Sequence, residues 1–538
     1  MSKVISSSRV VIEGAIIPAT IVFSRITGKI LDIFKDEVLS EKDLRLRSYD
    51  VVSYRNFGSL VIMPGLVDSH VHLNEPGRTP WEGFATGTQS AASGGVTTIV
   101  DMPLNSIPPT TTLANFQRKI DAATGQVWVD TAFWGGLVPD NLDDLISLIR
   151  SGVRGFKGFL MDSGVEEFPM VTPAYINKVL AKVQNENTLI MFHAEMAPKP
   201  HENEIQAYSQ CYNNHNSLAE TKTCGDHGNL TCQQAEILSS SPVLQYVEPL
   251  AIIDDEMSPL TLVKSTNEAL TSVDPRSYDS FLASRPDSFE VNAITHIIDC
   301  QKHHPTVPIH IVHLATSCAL PIIKEAKFKL GLPLTVETCF HYLTLDADNI
   351  PAGATQFKCC PPIRSAANKD KLWKALLDGV ITSVVSDHSP CTSDLKRLDE
   401  GDFFKAWGGV TSLGLGMIML WEAGRKYAIS LTDIVRWCCE NTAQQVGLAN
   451  SKGHIRVGYD ADFAIFDPDV VYRIDNTRTF FKNKLTAFSG KKVHGRVVET
   501  ILRGNSIYAI GKGVSGMPMG RLILSPRAVS YTHLTLPT

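Results

Sequence analysis

From Leu60 onward, short apolar runs alternate with helical stretches, and this alternation constrains the fold more than any other feature of the chain. Apolar strands separated by helices are the mark of repeated β-α units and a parallel sheet buried on both faces. Eight candidate strands can be read: Val61–His70, Val96–Asp101, Val127–Trp134, Val153–Lys157, Leu189–His193, Val307–His313, Leu332–Thr338 and Ile381–Asp387. Several carry a polar or charged residue at the C-terminal end. A (β/α)₈ barrel assembles its site from those ends, so the pattern favours an α/β, TIM-like barrel over an open doubly wound sheet.

The flanks read differently. Residues 1–60 hold short β segments such as Val10-Val-Ile, Ile21-Val-Phe and Val51-Val-Ser-Tyr, and residues 451–525 return to β alternation at Gly458-Tyr-Asp-Ala-Asp-Phe-Ala-Ile-Phe. The two flanks are expected to join into a small β-sandwich domain beside a barrel at 61–450. Between about 197 and 273 the pattern lapses into Ser, Asn and Gln, too long for an ordinary connection, and is read as an insertion. Its Cys211, Cys224 and Cys232, with His201, His215 and His227, fit no common zinc-finger spacing. Residues 526–538 match nothing in this organisation and are read as a non-native tail.

Bulk properties exclude several classes. A chain of 538 residues with net charge −6 and scattered basic residues offers no electrostatic reason to bind nucleic acid or an anionic membrane. No apolar run approaches the ~18–20 residues that span a bilayer, and the polar start gives no secretory pattern. Eleven irregularly spaced cysteines point to reduced thiols, so a cytoplasmic location is expected.

The chemistry-bearing residues lie at strand ends. His70 and His72 are two apart, which puts both imidazoles on one face of a strand. Lys157, in Arg154-Gly-Phe-Lys-Gly-Phe, is an amine where burial of a charge is costly. Either it reaches the barrel rim, or its neutral form takes up CO₂ as a carbamate that bridges two metals. His193, His313 and Asp387 end further strands. Each alone is more often structural. Together, four His, one Lys and one Asp fall at the ends of five strands in barrel order.

Asp68-Ser-His-Val-His-Leu-Asn-Glu-Pro-Gly-Arg, Asp101-Met-Pro-Leu-Asn-Ser, Gly155-Phe-Lys-Gly-Phe, Phe192-His-Ala-Glu, Pro361-Pro-Ile-Arg and Ser386-Asp-His-Ser-Pro resemble motifs of the amidohydrolase superfamily. The likeness is to its hydantoinase, dihydroorotase and allantoinase branch, over roughly residues 55–525 without the insertion. It implies that His70, His72, Lys157 and Asp387 hold one divalent metal, while Lys157, as N6-carboxylysine, shares a second with His193 and His313. Such donors suit zinc. Two ions about 3.5–4 Å apart can bind a bridging hydroxide and polarise a carbonyl, with Asp387 as the catalytic proton carrier.

Within the branch, dihydroorotases resemble His-x-His-Leu-Arg, whose arginine grips a carboxylate; here that position is Asn74, which disfavours dihydroorotate. Asn74-Glu-Pro-Gly-Arg-Thr-x-Trp-Glu-Gly-Phe, Met102-Pro-Leu-Asn-Ser-x-Pro-Pro-Thr and Trp407-Gly-Gly resemble the allantoinase members, which implies a small-molecule substrate, allantoin, opened to allantoate in purine breakdown. By the same resemblance, backbone at Cys360 and Gly408 would bind the ring amide, and Asn105 and Arg78 the ureido arm. Phe340 replaces the proline usual in Thr-Cys-Pro-His-Tyr. The alternatives are a hydantoinase or dihydropyrimidinase, or a non-catalytic dihydropyrimidinase-like scaffold, which the filled ligand positions disfavour. Relatives suggest a homo-oligomer, tetramer or dimer. His341 and His388 read as structural, and His310 as facing away from His313.

Overall fold

A computed structural model describes residues 1–197 and 273–527. Eight parallel strands form the barrel: β1 (Leu66–Val71), β2 (Val96–Asp101), β3 (Asp130–Phe133), β4 (Phe156–Phe159), β5 (Ile190–His193), β6 (Ile309–Ile311), β7 (Leu334–Cys339) and β8 (Ser383–Val385). β1, β2 and β3 pair in sequence order, as do β4 to β8. Two links close the ring. The chain leaving β3 pairs Gly135 with Phe156 of β4, and Val71 at the end of β1 bridges to His388 after β8. With no edge left, nearly every strand residue is buried, which explains the uninterrupted apolar runs.

The first expected strand, Val61–His70, is two elements. Val61–Pro64 pairs with Ser2–Ile12 and Phe463–Arg473 in the β-rich domain, and only β1 belongs to the barrel. The break falls at Gly65, where a Cβ would stand 2.2 Å from the Thr97 hydroxyl oxygen. The N- and C-terminal segments are hydrogen-bonded as one nine-stranded sheet through Val61–Pro64.

The Gly458-Tyr-Asp-Ala-Asp motif clamps this sheet to the barrel. Lys452 Nζ lies 2.7 Å from Asp130 in β3, 3.0 Å from Asp460 and 2.6 Å from Asp462, and Arg503 also pairs with Asp130. The three carboxylates crowd closely enough for a cation, and the ammonium of Lys452 already fills that role.

Helices cover the barrel, capped as their sequences dictate. Thr112, Thr172 and Ser365 accept from the third helical N–H of Leu113–Ala123, Pro173–Val183 and Ala366–Leu377. No helix among the described residues is long and apolar enough to cross a membrane, and no disulfide forms among them. The insertion expected at about 197–273, with its Cys and His residues, lies outside the described residues apart from its two ends. Arg527, inside the segment set aside from the sequence as a tail, donates to the carbonyls of Gln445 and Arg154, so docked chain extends two residues past 525. Residues 528–538 lie outside the described residues.

Candidate metal centre

The six residues singled out at the strand ends converge. His70 Nε2 lies 3.1 Å from Lys157 Nζ and 3.2 Å from Asp387 Oδ1. His72 Nε2 stands 3.5 Å from the same carboxylate oxygen. His193 Nδ1 and His313 Nε2 are 3.0 Å apart, and the His70 and His313 rings are 5.4 Å apart by centroid. All six side chains are buried.

Backbone geometry places them. Lys157 is not at the end of its strand, as expected, but second in β4, with Phe159 of that strand level with His193. Two residues of strand cover about 7 Å, and the four-carbon stem of lysine makes up that depth. His313 and Asp387 lie two residues past β6 and β8, with φ of 39° and 42°. Asn74 and Asn105 share this left-handed conformation, at 64° and 68°. Non-glycine residues in this region carry strain that surrounding structure must hold, a feature concentrated at functional sites.

Burial decides the charge states. It pushes His72 down to about 3, lowers His193, and takes His313 well below its ordinary value, so these imidazoles are neutral and keep a lone pair. Burial lowers the Lys157 amine to about 8 against the pull of Asp387 and Glu337. Burial alone would raise Asp387, but His70, His72 and His313 around it hold its carboxyl well below the usual range. The centre holds three neutral imidazoles, of His72, His193 and His313, and one anionic carboxylate beside an easily neutralised amine.

The amidohydrolase family profile matches residues 61–242 and 290–507, which carry all six converging residues. The chain belongs to the amidohydrolase family. It is 49% identical to the allantoinase of Saccharomyces cerevisiae over 525 residues, covering 97% of this chain and 99% of the relative. It is 40% identical to an allantoinase of Streptomyces avermitilis over 520 residues, covering 97% and 98%. Among solved structures, an L-hydantoinase (dihydropyrimidinase) from Arthrobacter aurescens superposes with a TM-score of 0.76 at 25% identity, covering 97% of this chain and 99% of that one.

Divalent metal binding follows from membership, and the donor set of this amidohydrolase suits it. His70, His72 and Asp387 present one ligand atom each within 4.8 Å of one another. Neutral imidazole and carboxylate are the donors borderline divalent ions take.

Two carboxylates behind the site were not singled out in the sequence. Glu337 in β7 meets His70 Nδ1 at 2.5 Å and His310 Nε2 at 3.0 Å. Glu195 meets His193 Nε2 at 2.6 Å and is gripped by Arg285 through both oxygens. Burial would raise Glu195, but Arg285 and His193 hold it at about 2. The signal for Glu337 was a charge inside the apolar strand Leu334–Cys339, which has no reason to be there unless it is paired. His310 does face away from His313, toward Glu337 and Gln445. His388 accepts from the backbone N–H groups of Ser412 and Leu413 and meets Glu82, a structural arrangement.

The expected substrate-side residues divide. Asn74 donates to the Pro390 carbonyl at 3.3 Å, while its own carbonyl oxygen is buried without a partner among the described residues. Gly408 abuts Cys360: a Cβ there would stand 3.3 Å from Sγ. Trp81 and Trp407 meet edge to face at 4.6 Å, with the Arg78 guanidinium 5.1 Å from the Trp81 ring. Arg78 is already paired with Glu167, and the Asn105 amide lies 3.4 Å from His72 Nδ1, so both are engaged with the protein itself. Phe340, in place of proline, lays its ring over Gly416, where a Cβ would stand 2.1 Å away.

Proposed function

We infer that this amidohydrolase is an allantoinase, opening the hydantoin ring of allantoin by hydrolysis of its cyclic amide to give allantoate. The observation that carries the reading is similarity, end to end, to proteins named allantoinase at 49% and 40% identity. Asn74 supports it, because a neutral amide with an open carbonyl oxygen suits a ring N–H better than a carboxylate.

In the proposed arrangement His70, His72, Lys157 and Asp387 hold one divalent ion, and His193, His313 and Lys157 hold the other, with Lys157 as its CO₂ carbamate. Zinc is the ion these donors favour. A metal pair supplies an acidified water and a Lewis acid for the scissile carbonyl. Asp387, kept anionic by the imidazoles around it, accepts a proton from the attacking water. It then delivers that proton to the ring nitrogen as the C–N bond breaks. Asn74 and the backbone at Cys360 and Gly408 orient the ring. Arg78 and Asn105 reach the ureido arm only if they exchange their present partners.

A hydantoinase or dihydropyrimidinase reading rests on solved neighbours at 25% identity or less, whose likeness is one of fold. Purified, metal-loaded protein incubated with allantoin, dihydrouracil and hydantoin decides the matter. Allantoate formation from allantoin is expected; turnover of only the other two substrates would overturn it. Elemental analysis should find two zinc per chain, and light scattering a dimer or tetramer. A cytoplasmic location belongs to the same proposal and is read by fractionation.

A further inference from the structure

A second cluster of metal-type side chains shares Asp387 with the centre, and its other two members take no part in the proposed reaction. Cys339 ends β7, His341 stands two residues later in the helix Phe340–Thr344, and Asp387 follows β8. One ligand atom from each lies within 4.8 Å of the other two, and all three side chains are buried.

His341 is the unusual member. Its ring is 0% exposed, yet neither Nδ1 nor Nε2 has a hydrogen-bond partner among the described residues. A buried donor or acceptor left unmatched is costly, and an imidazole has one of each. Its aromatic neighbour Tyr342, 4.2 Å away by centroid, turns its hydroxyl to the Pro361 carbonyl and makes no bond to the ring. A cation bound to the Cys339 sulfur would deprotonate that thiol outright.

Thiolate, imidazole and carboxylate together form a zinc-type donor set, and the sulfur discriminates against magnesium or calcium. We propose that Cys339, His341 and Asp387 form a third, thiolate-bearing cation site whose occupation by zinc withdraws Asp387 from the reaction. The inference rests on the reading of Asp387 as proton carrier. On binding, the Cys339 S–H bond breaks, a sulfur–metal bond forms, and the proton passes to buffer. Zinc in excess of the catalytic pair then switches the enzyme off, and magnesium does not.

The test uses the intact protein loaded with two equivalents of cobalt(II), whose catalytic donors include no sulfur. A third equivalent should bring up a near-ultraviolet thiolate-to-cobalt band, while allantoin turnover falls about 100-fold, the scale of a lost general acid–base group. A mild chelator should reverse both. Cys339→Ser and His341→Gln should lose the band and the inhibition together; Cys339→Ala repeats the test if the serine variant fails to fold. A band that persists in the Cys339 variants, or inhibition without a band, overturns the proposal. The band is read without substrate, so a protein that shows it but leaves allantoin untouched refutes the allantoinase reading alone. Allantoin turnover without a band refutes the third site alone.

Discussion

Glu337 accepts a hydrogen bond from Nδ1 of His70 at 2.5 Å, which leaves Nε2 of His70 facing Lys157 and Asp387. The proton must sit on Nδ1 because the imidazoles of His70 and His310 keep Glu337 ionised, and a carboxylate can only accept. Glu195 acts on His193 the same way with the nitrogens exchanged: Nε2–H donates to it, and Nδ1 faces His313. Each carboxylate orients one imidazole of the centre, and outer partners of this kind raise ligand basicity.

Glu337→Gln should therefore weaken metal binding by about 10–100-fold, the range for such partners. Competition against a chromophoric chelator measures it. An unchanged affinity would mean that the bond serves the fold and not the metal.

Lys157→Ala removes the proposed bridge. Metal content should fall below two per chain, and turnover should drop by more than the about 10–100-fold expected of an outer partner. A short carboxylic acid should restore part of the activity by standing in for the carbamate. Full activity without such an additive would sink the carboxylated lysine.

Carbamate formation needs the neutral amine, and burial brings Lys157 down from 10.5 to about 8. Below pH 8 the charged form dominates. At fixed dissolved CO₂, reconstitution of metal-free protein should accelerate about tenfold per pH unit up to pH 8 and level off above it. A rate still climbing at pH 10 would show that the amine is not desolvated.

Lys452→Met should destabilise the protein by about 3–5 kcal/mol, the cost of stranding buried partners of a removed charge. Burial would lower the ammonium's affinity for its proton, but Asp462, Asp130 and Asp460 raise it above the ordinary lysine value. A folded value above the unfolded one makes this contribution complete at neutral pH, to be lost only in alkali as pH climbs through the folded value. Urea unfolding at pH 7 reads the loss, and limited proteolysis should find the β-rich domain loosened from the barrel.

The converging residues were legible in the chain because a closed parallel barrel puts chemistry at strand ends, and His70, His72, His193, His313 and Asp387 all fall at or just past them. The barrel itself was legible for the same reason, since strands buried on both faces must be apolar throughout. Strand limits were less so. Val61–Pro64 and β1 read as one apolar run, and only their different partners, in the β-rich sheet and in the barrel, separate them.

Sequence alone determined which residue types meet at the centre: the period of the strands puts four imidazoles, an amine and a carboxylate at one end of one barrel. Tertiary structure decided which nitrogen of each imidazole is free. His70 takes its tautomer from Glu337, 267 residues away, because a ring nitrogen is committed only when an acceptor from another strand claims the other one's proton. It also decided that His341 has no such acceptor among the described residues, and it set that ring beside Cys339 and Asp387.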